Sequence, residues 1–196
     1  MNTLFYDFEA VENYVPGEGE IMLEWLEDQL KEESDRKFVI IDHVYAGARY
    51  GVTQMWYEDG NETYFDLMDK YRDRVIIEIA GHDHFTSLRC HKGQTTTESG
   101  ETQEYYYRNL LVNPSITPWY GNNPGVSVLE IGDDQVARNL RQSYLNLTET
   151  LGKDDVTPYE ELDFRNLDMA ADYGLADLSG ASIAKLQESL KADTDL

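Results

Sequence analysis

The spacing of apolar side chains changes period along the chain, and each change marks an element. Residues 18 to 37, "EGEIMLEWLEDQLKEESDRK", put Ile21, Met22, Trp25, Leu26, Gln29 and Leu30 on one face of a helix with carboxylates opposite. "FVIID", residues 38 to 42, is short, apolar and β-branched, the pattern of a strand buried on both faces. "HVYAGARYGVTQMWYEDG" keeps neither period and reads as a loop over a site. Asn61 or Thr63 is placed to cap a helix through "YFDLMDKYRDR", after which "VIIEIAGHDH" predicts a second buried strand ending at Gly81. Helix, strand, loop, helix, strand is the rhythm of a layered α/β domain.

Beyond Gly81 the runs "FTSLRCHKG", "YYYRNLLVNP", "VSVLEIG" and "QVARNLRQSYLNL" predict successive strands with partial alternation. The small, polar stretch 93 to 103, "GQTTTESGETQ", predicts an exposed hairpin tip. After residue 151 the composition shifts. "TPYEELDFRNLDMAADYG" and "SGASIAKLQESLKAD" predict two closing helices, the second capped by Ser179 or Ser182. The expected organisation is one α/β domain over residues 1–150 with a helical extension, 151–196, packed on it.

Charge and cysteine content narrow the chemistry. Asp and Glu total 38 against 16 Lys and Arg, a formal net charge of -22 in 196 residues, so nucleic-acid phosphates and anionic lipid surfaces are repelled. Cys90 is the single cysteine, which excludes an internal disulfide framework and multi-cysteine zinc motifs. No basic leader and no apolar stretch of membrane length is present, so a soluble, untargeted chain is expected. The sequons at Asn61 and Asn146 would accept glycans only in a secreted protein.

Two of the four histidines, His82 and His84, stand one residue apart in "IAGHDHFTSLR". In an extended segment they would project to the same side with Asp83 turned away, a spacing that fits metal as well as a plain hydrogen-bonded role. His43 follows the first predicted strand as His82 follows the second, and the carboxyl ends of strands are where open α/β sheets gather ligands.

The order "WLEDQLKEESDRKFVIIDHVYAG", "YRDRVIIEIAGHDHFTSLR", "NPSITPWYGNNPGVSVLEI", "SYLNLTET", "ADYGLADLS" resembles the carboxyl-terminal half of acid-sphingomyelinase-like phosphodiesterases, within the calcineurin-like metallophosphoesterases. The resemblance runs from about residue 17 to the end. It implies the carboxyl-terminal half of a four-layer α/β/β/α sandwich with mixed sheets, whose strand ends hold two divalent ions, zinc being suited to the imidazoles. By the same resemblance His43 and His82 serve one ion and His84 the other, while Tyr45, Tyr50, Trp56 and Trp119 border a cleft for an organic phosphodiester. It also implies a secreted or lysosomal setting, at odds with the missing leader and disulfides.

The carboxylate half of that site is not in this chain. The Asp-X-His, Gly-Asp-X-X-Asp and Gly-Asn-His-Glu motifs are absent; "GDDQ" at 132–135 lacks the later Asp and reads as a hairpin turn. Asp42 replaces the glycine before the first metal histidine, and Tyr45, Ala46 and Gly47 replace Pro-Pro-Gly. Asp42 either adds a cation donor or, with the lost turn, displaces His43. The expected function is a phosphodiesterase inactive alone and active with a partner chain that covers the open sheet edge and supplies the amino-terminal half. The alternatives are a degenerate fold serving as a structural or interaction subunit, and a mononuclear zinc site on the three histidines.

Overall fold

The computed structural model describes all residues except 8–14, 16, 33–34, 50–52, 151–161 and 193–196. It is a mixed α/β protein whose chain divides into two units: Met1–His82 with Cys90–Leu110, and Asp83–Arg89 with Leu111–Leu196.

In the first unit, α1 (Glu18–Lys31) leads to β1 (Phe38–Ile41), a small hairpin of β2 (Ala48–Arg49) and β3 (Thr53–Gln54), and α2 (Glu58–Lys70). Then come β4 (Val75–Ala80), β5 (Ser87–Thr96) and β6 (Thr102–Val112), in a sheet ordered β1-β4-β6-β5. β1 runs parallel to β4 with Ile41 opposite Ile79. The chain between β5 and β6 turns over residues 97 to 101, inside the tip expected from its composition.

Four expectations need correcting here. α1 buries only part of the predicted face: Leu26 and Leu30 are buried, joined by Gly19 and Leu23 from outside it, whereas Ile21 is 66% and Trp25 54% exposed. β1 is a sheet edge rather than a strand buried on both faces, and Ile41 is largely exposed. α2 starts at Glu58, ahead of both proposed caps. Asn61 lies inside it, its amide accepting from Gly47 N–H at 2.8 Å and donating to Trp56 C=O at 3.2 Å. The fourth falls in the second unit, where residues 164–168 of the first expected closing helix form a strand and only Met169–Tyr173 of its described residues are helical.

Tyr6 explains why α1 and α2 approach so closely. Its ring lies against both helices where each carries glycine: a Cβ on Gly19 or Gly60 would come within 2.5 Å or 2.3 Å of ring carbons. The ring stacks on Trp56 at 4.7 Å. Arg74 closes the end of α1 by donating to the carbonyls of Leu30 and Glu32 at 2.9 and 2.8 Å, the groups a helix terminus leaves unsatisfied.

The second unit is built on an antiparallel sheet of β7 (Gly125–Ile131), β8 (Ala137–Leu145) and β9 (Phe164–Asp168). The "GDDQ" segment is the β7–β8 turn, closed by Gln135 N–H to Gly132 C=O. Short α3 (Leu147–Thr150) follows β8. β9 leads into α4 (Met169–Tyr173), which Asp168 caps by accepting from Ala171 N–H. α5 (Gly180–Ala192) closes the unit, with the Ser179 hydroxyl accepting from Ser182 N–H at 3.4 Å, so Ser179 is the cap. No described strand pairs with the outer edge of β7, where Val126 and Val128 are exposed. Both sequon asparagines are buried, and Asn146 donates to Asp163 at 2.9 Å. Among the described residues no helix is long and apolar enough to cross a membrane.

Candidate functional site

The parallel pairing of β1 and β4 continues past both strands: Asp42 N–H donates to Ile79 C=O and Gly81 N–H to His43 C=O, each at 3.0 Å. That ladder sets His43 beside His82, ring centroids 5.3 Å apart and nearly perpendicular. Gly81 leaves the space this needs, since a Cβ there would sit 3.3 Å from His43 Nδ1.

The segment carrying His82 and His84 is not extended, which corrects the alternation expected of it. His82 has φ 72° and His84 φ 63°, left-handed values that a residue other than glycine adopts at a cost of about 1–2 kcal/mol. Between them Asp83 is buried, 3.7 Å from Arg89. His84 lies in the second unit, 6.2 Å from the Tyr120 ring, and its Nδ1 is buried with no hydrogen-bond partner.

The turn after His43 is tight even without prolines. Gly47 takes φ 103°, its N–H held by Asn61, while Arg108 donates to Ala46 C=O at 2.9 Å. Ahead of it, Thr3 Oγ1 accepts from the backbone N–H of His43 and Val44. Tertiary hydrogen bonds do here what proline ring geometry does elsewhere.

Arg108 belongs to a group that the sequence reading missed. It grips Glu78 through Nε at 2.6 Å and Nη2 at 2.5 Å, and Tyr64 donates to the same carboxylate at 2.9 Å. All three side chains are buried. Burial alone would lower the Arg108 pKa, yet the Glu78 charge raises it; burial first and then Glu78 raise that of Tyr64. Asp42 lies near this group, both its oxygens buried without a hydrogen-bond partner, and burial followed by the Glu78 charge lifts its pKa well above the usual range. The available signal was a lone charge inside each apolar strand, Glu78 in "VIIEIA" and Arg108 in "YYYRNLL".

Tyr45 and Trp56 have no exposed surface; Trp56 donates its indole N–H to Val44 C=O at 2.7 Å and packs on Tyr6 and Tyr64. Tyr50 lies outside the described residues. Trp119 is exposed, edge-on to the exposed Tyr120.

The donor chemistry fits a metal in part. His43 and His82 form an imidazole pair and His84 keeps an unsatisfied ring nitrogen, donors that suit zinc. Among the described residues, however, no three His, Cys, Asp or Glu side chains gather as a metal-holding group.

No family model matches the chain. It is similar to the human cyclic GMP-AMP phosphodiesterase SMPDL3A, with 29% identity over 171 residues, 78% of this chain. That stretch is 36% of the human protein, so the chain spans about a third of the length of this relative. The sequence likeness is therefore to a phosphodiesterase, and to part of one.

Proposed function

We propose that this chain is the carboxyl-terminal portion of an acid-sphingomyelinase-like, calcineurin-like phosphodiesterase, catalytic when a second polypeptide provides the missing carboxylates. The observation that carries this reading is the edge-on pair His43–His82 at the ends of adjacent parallel strands, in a chain whose similarity covers only part of a phosphodiesterase. In the assembled site His43 and His82 would hold one divalent ion and His84 another. Such ions lower the pKa of bound water and offset phosphate charge. This chain's contribution is to hold His43 in place through the Thr3, Asn61 and Arg108 contacts on the backbone around it. A formal charge of -22 on this chain repels an anionic ester, and bound divalent ions would offset that repulsion at the site.

Co-expression with a chain carrying Asp-X-His, Gly-Asp-X-X-Asp and Gly-Asn-His-Glu tests the proposal. The purified, zinc-supplemented complex is expected to hydrolyse bis(p-nitrophenyl) phosphate, with cyclic GMP-AMP as a second probe because the human relative is named for it. His82→Ala in the complex should abolish turnover. An inert but well-folded complex, or turnover by this chain alone, overturns it.

A second reading keeps a phosphoesterase fold as an interaction subunit; the sequence feature that speaks for it is the departure around His43, with Asp42 for glycine and Tyr45, Ala46 and Gly47 for Pro-Pro-Gly. Elemental analysis of the complex separates the two, because stoichiometric zinc lost in His82→Ala and His84→Ala excludes the structural role.

A further inference from the structure

α1 carries two apolar stripes where one helix packed on one core needs only one. Leu23, Leu26 and Leu30 fill the buried stripe. Ile21 and Trp25, four residues apart and therefore neighbours on one face, point to solvent at 66% and 54% exposure. Single exposed aliphatic side chains are ordinary on a protein surface. An indole beside an isoleucine is a different matter, because Trp heads the residues whose burial anchors protein interfaces.

The surroundings of the pair state what kind of surface fits it. Helical spacing puts Glu18, Glu24 and Asp28 around Ile21 and Trp25, all three exposed. The only basic residue of α1 is Lys31, which lies 3.1 Å from Glu27 and 3.8 Å from Asp28. The patch is thus an apolar centre in a negative ring. A second copy of the chain would bring like charges together across the contact, on top of -22 per molecule. An anionic lipid surface is repelled for the same reason.

We propose that the Ile21–Trp25 face of α1 is a docking surface for another protein's amphipathic segment, one that offers apolar side chains flanked by Lys and Arg. Trp25 is the anchor, and the flanking carboxylates set the partner's charge and speed its approach. The inference goes beyond the phosphodiesterase reading and does not depend on it, since no candidate metal ligand lies on α1.

The test uses the whole chain and a fluorescein-labelled helical Lys/Leu peptide, with binding followed by anisotropy. A Glu/Leu peptide of the same length, phosphatidylcholine vesicles and sedimentation of the chain alone complete the set. The Lys/Leu peptide is expected to bind and the Glu/Leu peptide not to. Ile21→Ser/Trp25→Ser should weaken binding by about ten-fold or more, as loss of an interface anchor does. The matched surface pair Val126→Ser/Val128→Ser removes equally exposed side chains on β7 and should leave affinity within about two-fold, because truncation away from the anchor is near neutral. Far-UV circular dichroism verifies that each variant folds. The proposal is overturned if the peptide does not bind, if the α1 pair has no effect, or if both pairs weaken binding alike. Vesicle binding or self-association that Ile21→Ser/Trp25→Ser removes would overturn it in favour of a lipid or a second copy.

Discussion

Arg108 and Glu78 form a two-pronged ion pair across neighbouring strands β6 and β4, with neither side chain in contact with water. Such a pair is a constraint more than a source of stability. Its desolvation cost consumes most of the Coulombic gain, but removing one partner strands the other charge. Arg108→Met is therefore expected to destabilise the fold by about 3–5 kcal/mol, and Glu78→Leu/Arg108→Met by clearly less than the sum of the single changes. Urea unfolding of the two single variants and the double variant measures the coupling. An additive double variant would refute the account.

Gly60 sits inside α2, where alanine ordinarily gains about 1 kcal/mol. At this position the added methyl would meet the Tyr6 ring, which is itself pinned against Trp56. Overpacking of that kind costs about 1–3 kcal/mol, so the clash outweighs the propensity. Gly60→Ala should lower the unfolding midpoint, and a rise would show that Tyr6 moves aside freely.

How far the fold was legible follows from such contacts. The apolar runs located β1, β4, β5, β6, β7 and β8 because strand patterning is local. They did not reveal which flank of α1 is buried, since Leu23 and Trp25 are equally apolar and only the position of α2 and Tyr6 chooses between them. Gly60 reads as the end of a loop when Tyr6 is not in view, which is why α2 was expected to begin too late. The histidine motif was legible as a motif. Its backbone was not, because left-handed φ at His82 and His84 runs against the preference of histidine itself.

That backbone supplies another prediction. His82→Gly and His84→Gly should each be more stable than the corresponding alanine variant by about 1 kcal/mol, since only glycine takes positive φ without strain. Thermal unfolding of the four variants decides it. Equal stabilities within each pair would mean the turn relaxes when the imidazole is gone.

Glu27 links α1 to α2. It accepts from Lys70 at 2.8 Å and from Tyr71 at 3.2 Å, and the ammonium groups of Lys70 first and Lys31 next lower its pKa from 4.5 to about 2. A carboxyl with a depressed folded-state pKa binds its proton in the unfolded chain first. Its contribution is complete above about pH 4.5 and fades as pH falls towards about 2. Glu27→Gln should flatten the fall in stability across that window, and added salt should do the same in the parent because the group is near solvent. An unchanged slope in Glu27→Gln would remove the pair from the pH response.

The outer margin of β7, against which no described strand pairs beyond the contact of Gly125 N–H with Ser115 C=O, has a consequence for how this protein behaves when concentrated. Seven residues of strand, two exposed valines, and neither lysine nor proline as gatekeeper make a template on which identical ribbons grow. What holds molecules apart is mutual repulsion at -22, which reaches only about 10 Å at 0.1 M ionic strength and shrinks as electrolyte is added. Solutions of it should therefore keep best in dilute buffer and turn turbid in brine.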